Sequence, residues 1–208
     1  VRDRESGEEL VVDNKYIMSP KDLCTVDFLD RFLDAGVRVL KIEGRARSAD
    51  YVKRVVECYD EALRAIEEGT YTPERAEQWK ERLRTVFNRG FWGGYYMGAR
   101  AGEWSRTYGS SATVRKVYVG KVTNYFARIG VIELQVEAAP LSVGEPVFLT
   151  GETTGVVEFV VEEIRVALKP VQEAPQGVLC SIKVPTLIRR GDKLFKTVPS
   201  DEKADRNR

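Results

Sequence analysis

Only two strand-like runs precede residue 90, and each feeds into a helical pattern. They are KYIM (15–18) and VRVLKIEG (37–44). Strand–helix alternation of this kind calls for parallel strands covered by helices. Two strands alone do not make a stable sheet with two buried faces. The first half of this 208-residue chain therefore reads as part of a barrel or open sheet, not as a complete domain.

The helical patterns have their own punctuation. SPKD offers Ser19 as an N-cap, Pro20 at the first helical position and Asp22 facing the positive end of the helix dipole. Leu23, Val26, Phe28 or Leu29, and Leu33 recur at helical spacing, and Gly36 ends the pattern. Ser48 opens a long helix striped by Val52, Val55, Val56, Tyr59, Leu63 and Ile66 and stopped by Gly69. Thr72 and Pro73 open a third helix that reads through to Gly90. The expected order is β-α-β-α-α.

A glycine- and aromatic-rich connector, GFWGGYYMGARAGEWSRTYGSS (90–111), follows. From residue 112 no good helix can be found. Six β-rich runs take over: TVRKVYVGKV, RIGVIELQVE, EPVFLT, GVVEFVVEEIRV, VLCSIKV and DKLFKTV. Their spacing predicts a small closed antiparallel β-barrel. The expected division is an α/β part over 1–108, an all-β part over 109–200 and a frayed polar tail over 201–208.

Composition removes several chemistries. The chain has no histidine, so it carries no Ser-His-Asp triad, no Cys-His pair and no His-ligated zinc site. Its three cysteines, Cys24, Cys58 and Cys180, form no CxxC pair and are no disulfide framework. Thirty-three basic residues balance 32 acidic ones, so no global field points to nucleic acid, although a local patch can. No apolar run reaches membrane-spanning length, and VRDRESGEEL lacks the apolar centre of a signal peptide. A cytoplasmic protein without a membrane partner is the expectation.

Strand alternation picks out the candidate site. Val37, Val39, Lys41 and Glu43 share one face of the 37–44 run, and Arg38, Leu40 and Ile42 share the other. With Leu40 and Ile42 against helices, Lys41 and Glu43 point to the opposite side, at the strand's C-terminal end. In a parallel α/β barrel that is the active-site mouth. Lys41, Glu43 and Asp22 are the catalytic candidates. Lys21, Gly44, Arg45 and Arg47 are the substrate-binding candidates, with Gly44 allowing a close backbone approach and the arginines gripping phosphate or carboxylate. Cys24, placed in the first helical turns, is the metal-ligand candidate because the dipole there favours a thiolate. The competing reading is a Lys41–Glu43 salt bridge, solvated arginines and a buried structural cysteine.

The pieces YIMSPKDLC, AGVRVLKIEGRARSADYV, YDEALRAI and NRGFWGGYYMG, in this order and spacing over roughly residues 10 to 98, resemble the collagenase-like peptidase family U32. LSVGEPVFLTGETTG and RRGDKLFK are similar to the second-domain barrel of translation elongation factors. The family resemblance implies a TIM-like core of which only the last βα units are present, followed by a β-barrel. It implies either proteolysis of collagen-like peptides, with the barrel binding substrate or partner, or hydroxylation of RNA bases by members that hold an iron–sulfur cluster through four cysteines. Cys24 resembles the last of those four, with partners upstream of this chain. An iron–sulfur cluster or a divalent metal is thus a cofactor expectation for the full-length protein. That protein is an enzyme on this reading, while this segment lacks a complete catalytic site. MSPKD places Met18 where the family has asparagine, which alters a polar contact at the mouth. Exposed sheet edges would also favour pairing with a second copy.

Overall fold

The structure is a computed structural model that describes residues 2–7, 9, 19–99, 102–105 and 109–200. The KYIM run, Met18 and the tail lie outside the described residues. The chain divides into two compact units, Val1–Thr113 and Val114–Arg208.

In the first unit, strand β1 (Asp22–Leu23) leads through a 3-10 turn (Val26–Phe28) into helix α1 (Leu29–Asp34). Helices α2 (Ala49–Glu67) and α3 (Pro73–Arg84) and strand β2 (Phe91–Trp92) follow. β1 and β2 pair in parallel, Asp22 with Phe91 and Leu23 with Trp92. This pair is the only parallel ladder among the described residues, and a TIM-like barrel is not visible in them.

The expected helix start at Ser19 is not found. Pro20 bridges Trp104. The Asp22 and Cys24 amides donate to Gly90 O and Trp92 O. Donors and acceptors committed to a neighbouring strand cannot serve a helix, so the first helical turn waits until Val26. The 90–111 stretch is accordingly no free connector. Ser105 N donates to Ser19 O, Lys21 N to Glu103 O and Ser111 N to Asn88 O, which ties it into the first unit.

Residues 37–44 form no strand. A strand exists through its ladder, and none of the described residues pairs with this run. Its alternation survives without the ladder. Leu40 and Ile42 pack on the helical core, whereas Lys41 and Glu43 are exposed and Val39 is 83% exposed.

The helix ends were legible. Gly36 and Gly69 take positive φ after α1 and α2, and Thr72 Oγ1 accepts the Arg75 amide at 3.3 Å to open α3. The inner face of α2 is rotated from the expected stripe. Val55, Cys58, Ala62 and Ala65 are buried, and Val56 is 46% exposed. Small residues there let α3 approach with Ala76, Trp79 and Leu83. α3 stops at Arg84 because Asn88 Nδ2 donates to the carbonyls of Arg84 and Val86. These are acceptors that a longer helix would fill with its own amides.

The second unit holds ten strands and, among its described residues, no helix. They are β3 (Val114–Phe126), β4 (Val131–Val136), β5 (Leu141–Ser142), β6 (Pro146–Gly151), β7 (Gly155–Val160), β8 (Ile164–Val166), β9 (Lys169–Val171), β10 (Glu173–Ala174), β11 (Leu179–Lys183) and β12 (Lys193–Pro199). Eight of them form one antiparallel sheet in the order β7-β6-β12-β3-β4-β11-β8-β9, and β5 pairs with β10. One core collects inward residues from this set, including Val119, Leu134, Leu141, Leu149, Ile164, Ala174, Ile182 and Leu194. The sheet wraps this core, yet its ladder is not closed, since β7 and β9 are its ends. The GVVEFVVEEIRV run divides into β7 and β8, with buried Val161 between them. No helix in the described residues is long and apolar enough to cross a membrane.

Asp192 fastens one end of the sheet. It is 6% exposed and accepts hydrogen bonds from Thr154 Oγ1 at 2.6 Å and the Arg189 amide at 2.9 Å. A Cβ at Gly151 would sit 1.9 Å from its Oδ1, so this glycine makes room for the carboxylate. Asp192→Ala leaves two donors without their acceptor. The expected loss is about 2 kcal/mol of unfolding free energy, read from the urea midpoint.

Candidate functional site: a cleft on the first unit

A cleft of about 780 Å³ opens on the first unit, lined by β1, the 37–47 segment, α2 and β2. Six of the eight residues singled out from sequence border it: Asp22, Cys24, Lys41, Glu43, Arg45 and Arg47. Lys21 and Gly44 do not. Lys21 Nζ pairs with Glu103 Oε2 at 2.6 Å. A Cβ on Gly44 would come 3.0 Å from Val52, so this glycine lets the segment lie close on α2.

Arg47 and Asp22 organise one side. Arg47 Nη2 lies 3.3 Å from Asp22 Oδ1, with the two side chains 15% and 23% exposed. Asp22 Oδ2 accepts the Arg89 amide at 2.9 Å. The guanidinium sits 4.1 Å over the Phe87 ring and 5.5 Å from that of Tyr51, a pair of cation–π contacts for which arginine is better suited than lysine. Asp22, a catalytic candidate from sequence, is thus held by two donors and positions Arg47.

Lys41 and Glu43 do not form the salt bridge of the competing reading. Both are exposed, so burial forces neither to find a counter-charge. Glu43 Oε1 accepts the Arg45 amide at 2.7 Å and shapes the turn. Lys41 makes no hydrogen bond or ion pair among the described residues. Lys41, Glu43 and Arg45 therefore stand as charged groups bordering a cleft with apolar walls.

Cys24 lies on the buried side, 5% exposed. It follows a strand instead of sitting within a helix, and the Val26 amide at the start of the 3-10 turn lowers its thiol by less than burial raises it. Burial pushes the thiol up from its ordinary value, with the charge of Asp27 adding to the effect. The neighbouring Tyr59 hydroxyl is pushed up to about 12, chiefly by burial, and meets the Thr25 amide at 3.0 Å and Thr25 Oγ1 at 3.1 Å. The Tyr51 hydroxyl is also raised, first by burial and then by the charge of Asp22.

Among the described residues no three His, Cys, Asp or Glu side chains stand together as a metal set. Cys24 alone does not make the ligand set of an iron–sulfur cluster or a divalent metal. Burial also protonates the other two thiols, with Cys58 and Cys180 each pushed up to about 11. Brief iodoacetamide treatment at about pH 8, below these values, is expected to label none of the three cysteines in the native protein and all three in urea, as read by mass spectrometry. Rapid native labelling of Cys24 would contradict the buried placement.

Tyr51, Phe87, Arg89 and Tyr59 were missed from sequence. Tyr51, Val55 and Tyr59 are spaced i, i+4, i+8 on α2 and so share the cleft face, a signal the chain did contain. Phe87 and Arg89 lie between α3 and β2 and had none.

The profile of Peptidase family U32 matches residues 1–106. A protein named collagenase from Porphyromonas gingivalis strain W83 is 52% identical over 94% of this chain and 47% of its own length. A tRNA hydroxylation protein of Bacillus subtilis is 31% identical over 62% of this chain and 30% of its own length. Among solved structures, the C-terminal domain of a Geobacillus thermoleovorans U32 peptidase is similar over 38% of this chain and 90% of that one, at 18% identity and a TM-score of 0.37. The chain spans about half the length of the collagenase it matches. With a profile covering half its residues and this identity along nearly its whole length, the chain belongs to Peptidase family U32.

Proposed function

We propose that the cleft is half of the substrate site of a longer U32 enzyme that cleaves peptide bonds in collagen-like substrates. The observation that carries this reading is the 52% identity to a protein named collagenase. On this reading β1 and β2 belong to a TIM-like barrel completed by the rest of the protein. That remainder covers the exposed apolar residues Leu23, Val39 and Val56 and supplies the groups that activate water. Arg45 and Arg47 hold substrate carbonyl or carboxylate oxygens, and the second unit binds substrate or partner. In the shorter chain the same apolar surface pairs with a second copy, and a monomer by light scattering removes that part. The test of function is gelatin cleavage by the full-length protein. Fragments are expected, and intact gelatin would sink the peptidase reading.

A second reading is hydroxylation of an RNA base by the full-length protein. It is favoured by the 31% identity to a tRNA hydroxylation protein. Nucleoside mass spectrometry of tRNA and rRNA from a deletion strain decides it. A missing hydroxylated nucleoside is expected, and an unchanged profile rejects the reading.

A further inference from the structure

The outer face of β12 and β3 carries two lysines directly opposite each other, Lys193 and Lys121. Directly opposed side chains in an antiparallel pair have Cβ atoms about 5 Å apart, where like charges destabilise the pair. Both lysines are exposed, and neither has an ion-pair partner among the described residues. The loop before β12 adds exposed Arg189 and Arg190, also without ion pairs, and a Cβ at Gly191 would lie 3.8 Å from Lys121 Cε. The carboxylate within this loop, Asp192, is turned inward onto Thr154 Oγ1 and the Arg189 amide. Glu152, in the turn between β6 and β7, is exposed and forms no ion pair with the group. Two other cations of this unit are neutralised, Lys196 by Glu145 at 2.7 Å and Arg165 by Glu163.

The next row of the sheet holds three rings, flanked by Glu158 opposite Phe148 and by Glu137, which accepts the Tyr118 hydroxyl at 2.5 Å. Phe195 is paired with Tyr118 on one side and Phe148 on the other, with ring centroids 5.4 Å apart in both cases. Phe148 lies outside the core cluster to which Val147 and Leu149 belong, so these rings are on the outer face with the lysines. Phe148 is buried and the other two rings are half-buried. Of the neighbouring rings on β3, Tyr125 packs on the core and Phe126 is 41% exposed, and Tyr118 is the one that joins this row.

We propose that Lys121, Lys193, Arg189 and Arg190 bind the phosphodiester backbone of a single-stranded nucleic acid, with Tyr118 and Phe195 beside its bases. Uncompensated cations next to aromatic rings match this ligand better than an acidic peptide, which offers charge but no base faces. The site rests on neither reading of the cleft.

The test is fluorescence anisotropy of the purified chain with a labelled single-stranded RNA, the same sequence in DNA, and poly-glutamate, over a salt series. Binding of RNA or DNA is expected at about 50 mM salt, falling as salt rises. The two arms show which sugar is preferred. The double variant Lys121→Gln/Lys193→Gln is expected to bind at least about tenfold more weakly, with a log–log salt slope shallower by about 1.4, or 0.7 per lost phosphate contact. Its melting temperature is expected to be unchanged or higher, since a like-charge pair is removed. Arg189→Gln/Arg190→Gln, in an exposed loop, gives an independent reading of the same loss should the strand variant fold poorly. No nucleic-acid binding at low salt, unchanged affinity in the folded variants, or equal binding of poly-glutamate would overturn the proposal.

Discussion

Replacing Gly120 by alanine is expected to lower the unfolding free energy by at least about 3 kcal/mol, a cost at the upper end for overpacking. The added Cβ would sit 2.0 Å from Gln135 O and 2.9 Å from Gln135 C, with Val136 Cα at 3.1 Å. All three are backbone atoms, so no rotamer change relieves the clash. β3 also carries an extra residue here. Leu194 pairs with Gly120 but Phe195 pairs with Tyr118, and Val119 is left over. The Val119 carbonyl accepts from the amides of both Glu137 and Ala138, which draws the backbone of β3 toward the end of β4. A methyl group therefore has to separate β3 from β4 at the centre of the sheet. Gly144→Ala is the control, because its φ is +87° but nothing lies within 4 Å of the new Cβ. It is expected to cost about 1 kcal/mol of left-handed strain alone. Urea unfolding followed by far-ultraviolet circular dichroism compares the two, and equal midpoints would contradict the close approach.

The second large effect is expected at Arg47. Arg47→Met removes the cation between Asp22 and the Phe87 and Tyr51 rings while keeping much of the side-chain volume. Asp22 keeps one donor, the Arg89 amide, but loses its counter-charge at 23% exposure. Breaking a partly buried pair together with a cation–π contact is expected to cost about 2 kcal/mol. Arg47→Lys preserves the charge but not the guanidinium over the two rings, and is expected to recover about half of the loss. In the full-length enzyme Arg47→Met should also impair turnover, because Arg47 lines the cleft. Thermal unfolding and substrate turnover measured on the same preparations check both parts. A Met variant as stable as the parent would show that the pair contributes nothing.

What could be read from sequence was set by short-range chemistry. Helix ends followed from Gly36, Gly69, Thr72 and Pro73, whose backbone preferences act within one turn. The facing of Leu40 and Ile42 against Lys41 and Glu43 followed from alternation alone, and it brought most of the candidate residues to one cleft. Hydrogen-bond pairing was not legible, because it depends on partners distant in the chain. Asp22 and Cys24 read as a helix start, yet their amides are used by residues 90 and 92. VRVLKIEG has strand composition but no ladder among the described residues. The buried face of α2 was misread because Ala62 and Ala65, which allow close helix approach, carry little weight in an apolar stripe. In the second unit the two-residue strands β5 and β10 were too short for any periodic signal.

Lys41, Glu43 and Arg45, the exposed charged groups bordering the cleft, are expected to act on substrate. This is tested by a triple replacement, Lys41→Ala/Glu43→Ala/Arg45→Ala, in the full-length protein. All three positions are exposed, so the melting temperature is expected to stay close to that of the parent. Whichever activity the full-length protein displays, gelatin cleavage or RNA hydroxylation, its kcat/KM is expected to fall at least about 100-fold. A folded triple variant with undiminished kcat/KM would contradict the assignment of this cleft.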